Sequence, residues 1–173
     1  MDTRKAFLVK CEIKPLSVNN VLASMQCDEK ILLKQGIQMY TGSCLCGSIN
    51  FSINGNVTDI IHCHCSLCRK ASGSAFATNG FINASDLTLT DYNGTLTFYQ
   101  SSEGKRKYFC KTCGAPIYSA NAQSPQRYRL RLGALTCDIT ERPISHNFIT
   151  SKANWEDLDA QLPRYEGHEP GRE

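Results

Sequence analysis

From Ser48 onward the chain alternates. Ile49, Phe51 and Ile53 are separated by polar residues, the period-two mark of a half-buried strand. Asn54-Gly55 follows, a hairpin signal, and predicts that Val57–Cys63 returns against this strand. Further short strands are expected at SAFATNGFI (74–82), LTLT (87–90), TLTFYQ (95–100), KRKYFC (105–110), RYRLRL (127–132) and SHNFIT (145–150). SSEG (101–104) joins two of them as a hairpin turn. One helix is expected in SKANWEDLDAQL (151–162), where Ser151 or Asn154 can cap it. The pattern predicts an all-β fold of antiparallel sheets with short strands and little helix.

Residues 1–38 show neither the strand period nor the helix period. VLASMQCDEKILLKQG (21–36) predicts a short helix ended by Gly36. Organised alternation starts abruptly after Met39. The chain is therefore read as an N-terminal extension over 1–38 and a domain over 39–173, with Met39 a candidate native start.

Composition changes the picture at one point. A net charge of +3 over 173 residues is too weak to point to nucleic acid. No apolar run is long enough to span a membrane, and no signal-peptide core follows Ala6–Val9, so a cytoplasmic location is expected. Phosphate-cradling and dinucleotide motifs are missing, which argues against a nucleotide cofactor. The ten cysteines are the unusual feature. In a reducing compartment such richness points to metal binding or catalysis rather than disulfides.

Seven of the ten fall in three clusters: Cys44-x-Cys46, Cys63-x-Cys65-x2-Cys68 and Cys110-x2-Cys113. Cys11, Cys27 and Cys137 stand apart and read as plain thiols. Cys137 is the only candidate within the domain for a separate redox nucleophile. A structural zinc takes four ligands, and a catalytic zinc takes three and keeps one position open. Seven thiolates divide as four plus three. Gly47 and Gly114 follow the first and third clusters, supplying the positive φ that a tight metal-binding turn needs. That favours Cys44, Cys46, Cys110 and Cys113 as one set and Cys63, Cys65 and Cys68 as the other. The rival pairing, a zinc ribbon from Cys65, Cys68, Cys110 and Cys113, has a long spacer. Iron–sulfur and Cu(I) are further options for soft thiolates.

On an extended Ile60–Cys65, His62 and His64 face away from Cys63 and Cys65 and read as surface or second-layer residues. Arg69 and Lys70 can offset thiolate charge or meet an anionic substrate. Arg127, Arg129 and Arg131 share one strand face, which is either solvated or a carboxylate clamp.

GSCLCG, HCSLCRKASGSAF, YFCKTCGAPIYS and RPISHNFITSKANWEDLDAQLPRYE together resemble the family of glutathione-dependent formaldehyde-activating enzymes and centromere protein V, over about Tyr40 to Pro170. The resemblance implies a zinc-bearing β-tent with two zinc ions per chain. It implies a structural zinc on Cys44, Cys46, Cys110 and Cys113, and a catalytic zinc on Cys63, Cys65 and Cys68. It also implies carbon–sulfur lyase chemistry that joins formaldehyde to a small thiol such as glutathione, giving S-hydroxymethylglutathione. The middle motif reads CHCSLCRK where the formaldehyde-activating enzymes proper read C-G-C-x-x-C-W, which is the form of the broad branch. A zinc module that binds a partner without catalysis is the alternative expectation.

Overall fold

The computed structural model describes residues 39–158 and 161–172. The expected extension over 1–38, with its short helix, Cys11 and Cys27, lies outside the described residues. The all-β expectation holds: among the described residues ten strands form two sheets. The smaller sheet has the order β1 (Met39–Ser43), β2 (Ile49–Asn54), β5 (Leu87–Asp91). The larger runs β10 (Ser145–Asn147), β3 (Thr58–Cys63), β4 (Ala77–Asn83), β9 (Arg127–Arg131), β8 (Pro116–Asn121), β7 (Lys105–Cys110), β6 (Leu96–Ser102). Pairing is antiparallel except for β10, which lies parallel to β3.

The core follows from the alternation. Ile49, Phe51 and Ile53 of β2 point inward with Tyr40 of β1. They meet Ile60, Ile82, Ile117 and Leu130 from the larger sheet, all buried. Each such side chain contributes roughly 1.5–3 kcal/mol on burial. On the same face of the larger sheet, Tyr108 stacks on Tyr118 and Tyr118 on Tyr128, with ring centroids 4.4 and 4.8 Å apart.

The hairpin expected at Asn54-Gly55 is corrected. β2 is the middle strand of its sheet, flanked by β1 and β5, so no edge is left for β3. β3 also buries Ile60 and Ile61 in succession, which suits a strand covered on both faces. Residues 55–57 therefore carry the chain from one sheet to the other. The hairpin expected at SSEG forms, with β6 paired to β7.

The helix expected over 151–162 is also corrected. The chain makes a 3₁₀ turn at Ile149–Ser151 and then continues without helix through 158. Lys152 Nζ donates to the carbonyls of Ala153 and Glu156, competing with helical bonding there. Further on, the backbone pairs with β10: His146 N donates to Pro163 O, and Tyr165 N to His146 O. Among the described residues the single α-helix is α1 (Ser66–Ser72). It was not expected, being less than two turns long. Cys65 caps its start, Sγ accepting from Cys68 N at 3.4 Å, and Gly73 closes it.

Candidate metal centres

The thiols gather into two groups. Sγ atoms of Cys44, Cys46, Cys110 and Cys113 lie within 4.8 Å of one another, as do those of Cys63, Cys65 and Cys68. Cys110 and Cys113 thus sit with Cys44 and Cys46, not with Cys65 and Cys68 as a ribbon would require. Cys44–Cys46, Cys46–Cys110 and Cys63–Cys65 sulfur distances are 3.5, 3.8 and 3.6 Å. Tetrahedral zinc with ~2.3 Å bonds to sulfur separates its sulfurs by about 3.8 Å. The donor sets therefore fit a four-coordinate thiophilic metal, and both clusters can hold a metal ion.

The four-cysteine group is built from two turns. One leaves β1: Gly47 N donates to Cys44 O at 3.1 Å, and Ile49 N lies 3.3 Å from Cys44 Sγ. The other links β7 to β8: Gly114 N donates to Cys110 O at 2.8 Å. Gly47 and Gly114 have φ of +75° and +74°, where an L side chain would be strained. Since β1 belongs to the smaller sheet and β7 to the larger, this group ties the two sheets together. Burial raises the Cys44 thiol, while the Ser48 hydroxyl and backbone favour the Cys46 thiolate.

The three-cysteine group is local. Cys63 ends β3, Cys65 caps α1 and Cys68 sits in its first turn. Among the described residues no fourth His, Cys, Asp or Glu joins it. Crowding by Cys65 and Cys68, with burial, pushes the Cys63 thiol far up. Cys68 is pushed down by hydrogen bonds from Cys63 and Cys65, aided by the charges of Arg131 and Lys107.

The histidines stand apart from both metal groups. His62 Nδ1 lies 3.0 Å from Thr78 Oγ1. His64 is not at the surface; it is fully buried, and its Nε2 lies 2.8 Å from His146 Nδ1. The expected sidedness holds: His64 N still donates to Asn147 O at 2.9 Å beyond the last paired residue of β3, and His62 and His64 both pack against His146, on a face that is covered rather than open. Phe76 packs against both His62 and His64. Arg69 Nε donates to His64 O at 3.2 Å, bracing the cluster, whereas Lys70 is exposed. Lys107 was not singled out in the sequence; its Nζ donates to Leu67 O at 2.8 Å from the strand opposite.

The three arginines of β9 separate. Arg127 pairs with Asp59 and stacks over Phe81, and Arg129 also lies over Phe81. Arg131 is buried and binds Asn79. Cys137 Sγ lies 3.3 Å from Thr41 N and belongs to neither thiol group. Among the described residues no helix is long and apolar enough to cross a membrane.

Comparison with known proteins places this geometry. A family model described as glutathione-dependent formaldehyde-activating enzyme matches residues 39–151. Proteins of Podospora anserina and Emericella nidulans, both provisionally named glutathione-dependent formaldehyde-activating enzymes, are 31% and 30% identical over 80 and 92 residues. These matches cover 45% and 50% of this chain and 38% and 46% of the relatives. A Schizosaccharomyces pombe protein named as an uncharacterised lyase is 30% identical over 88 residues, covering 50% of this chain and 62% of its own length. The chain thus matches less than two thirds of the length of each of these relatives. A crystal structure of a Rhodobacter sphaeroides protein superposes with a TM-score of 0.49 at 25% identity, covering 60% of this chain and 97% of that one.

Proposed function

This chain belongs to the family of glutathione-dependent formaldehyde-activating enzymes, and we propose that it is a zinc-dependent carbon–sulfur lyase joining a small thiol to an aldehyde. On this reading residues 39–173 form the working domain and hold two zinc ions. Cys44, Cys46, Cys110 and Cys113 bind a structural zinc. Cys63, Cys65 and Cys68 bind the catalytic one. The difference between four gathered thiols and three carries the proposal. Four thiolates complete a tetrahedron, and three leave one position for a substrate sulfur.

Zinc held by the three cysteines would supply a positive centre that keeps an incoming thiol ionised near neutral pH. The residues around it do the rest. Cys65 and Cys68 are fixed by the start of α1, so the donors are set before substrate arrives. Arg131 and Lys107 offset thiolate charge from one side. The substrate sulfur attacks the aldehyde carbon, forming the C–S bond. The carbonyl π pair moves to oxygen, which takes up the proton that the thiol released. No electrons enter or leave. A reducing compartment such as the cytosol would keep these thiols available as ligands.

The test follows S-hydroxymethylglutathione formation from formaldehyde and glutathione by NMR. Zinc-loaded protein should exceed the spontaneous rate, and Cys65→Ser should return it to that rate. Equal rates with and without the wild-type protein would sink this reading and leave the non-catalytic zinc module.

A further inference from the structure

Alternation along β9 puts Arg127, Arg129 and Arg131 on one face, yet only Arg131 is drawn inside. It is 6% exposed, and Nη1 donates to Asn79 Oδ1 at 2.6 Å. Among the described residues no carboxylate pairs with it. A guanidinium carries five donors, and a neutral amide oxygen brings no counter-charge. Burying such a cation is costly unless an anion meets it.

Arg131 lines two cavities. The smaller, about 200 Å³, also touches Lys107 and Ala71. The larger is about 970 Å³, at the upper end of ligand pockets. Phe76, Ala77, Pro116, Leu135 and Trp155 give it an apolar wall; Ser72, Thr78 and the carboxylate of Glu156 are among its polar groups, and Cys44 of the four-cysteine group also lines it. Its wall adjoins the three thiols. Ala77 is the direct cross-strand partner of Cys63, so their side chains are neighbours on one sheet face. Ser72 Oγ donates to Cys68 O at 2.8 Å. A molecule with its sulfur at Cys63, Cys65 and Cys68 would extend its body into this space.

We infer that the larger cavity receives the body of a carboxylate-bearing thiol and that Arg131 selects it by binding the carboxylate. The inference rests on the three-cysteine group being the thiol-binding centre. A neutral thiol would reach the sulfur position but leave the guanidinium with no anion in hydrogen-bond contact, only the nearby thiolate charge of the cluster. Arg127 and Arg129 take no part, being held by Asp59 and Phe81.

Calorimetry on the full-length, metal-loaded protein tests this with three probes. Glutathione has a thiol and carboxylates, its diethyl ester has the thiol alone, and S-methylglutathione has the carboxylates alone. Wild type should bind glutathione on the order of 10- to 100-fold more tightly than the ester, the range for a hydrogen-bonded charge pair. Arg131→Met should erase that gap, bringing glutathione down to the affinity of the ester, and abolish S-methylglutathione binding, in protein that keeps the wild-type metal content. Arg131→Lys should fall between, keeping the charge and losing the fork. Equal wild-type affinity for glutathione and ester overturns the inference, even if Arg131→Met fails to fold. So does an Arg131→Met protein that weakens both thiols alike or sheds metal, because Arg131 would then serve only as counter-charge to the cluster. Failure of the thiol-centre reading looks different. Neither thiol would shift the visible absorption of cobalt-substituted protein, while S-methylglutathione binding could still report on the cavity.

Discussion

The two cysteine groups use the same atom type for opposite ends. One draws its sulfurs from turns on different sheets, with Cys46 and Cys110 separated by 64 positions. The other takes all three from a six-residue stretch where a strand hands over to a helix. Closing the longer span removes about 2 kcal/mol more loop entropy than closing the shorter one. A metal in the first group would therefore hold the fold, while one in the second would constrain little beyond its own turn. On the proposed reading, distance along the chain separates a staple from a reaction centre.

The largest effect should come from breaking the staple. Cys113→Ser leaves three donors to bridge two sheets, and structural zinc is worth roughly 10–16 kcal/mol in small domains, comparable with the whole stability of a domain. Loss of the cooperative thermal transition by circular dichroism is expected. A transition within a few degrees of wild type would show that packing alone holds the sheets together.

Cys65→Ser is the matched change on the other side. It should abolish turnover while the thermal midpoint stays within a few degrees of wild type. If it unfolds as readily as Cys113→Ser, the contrast between the groups fails.

Gly114→Ala sharpens the contrast at lower cost. A Cβ there meets nothing within 4 Å, so the penalty is the left-handed backbone alone. That penalty is about 1–2 kcal/mol, read from the denaturant midpoint, with catalysis per folded molecule unchanged.

The smallest effect is expected at Asp91. Its carboxylate accepts from Leu96 N at 2.7 Å and from Thr95 N and Oγ1, both at 2.9 Å. Thr95 O in turn accepts from Lys111 N at 2.8 Å, inside the Cys110–Cys113 turn. The backbone donors of Leu96 and Thr95 hold the Asp91 carboxyl below its ordinary value. A depressed acid stabilises the fold above its unfolded pKa of about 3.9 and loses that contribution as pH falls through the folded value. Asp91→Asn should therefore be slightly less stable near neutrality and show a flatter acid limb in pH-dependent melts.

Much of this was legible because both devices leave period and spacing in the chain. The glycines after Cys46 and Cys113 signalled backbone with positive φ, and the structure gives both that geometry. RYRLRL alternates cleanly and KRKYFC follows the SSEG turn, and both are strands. What stayed hidden depends on contacts between distant segments. Asn54-Gly55 has hairpin chemistry, but which sheet receives Val57–Cys63 depends on β1 and β5 already flanking β2. The caps of Ser151 and Asn154 promised a helix that the Lys152 amine and the pairing of the tail with β10 displaced. His64 read as a surface or second-layer residue, and its full burial stayed hidden because nothing local reveals an imidazole partner 82 positions away. Arg131 read like Arg127 and Arg129, since strand period assigns a face and not the depth at each end.

The most direct test of the difference between the groups replaces zinc with cobalt and adds glutathione. Wild-type protein should bind two cobalt ions and change its visible absorption on adding the thiol. Cys65→Ser protein should stay folded, bind one cobalt and show no change. A thiol-induced shift that persists in Cys65→Ser, or none in wild type, would contradict the assignment of Cys63, Cys65 and Cys68 as the open centre.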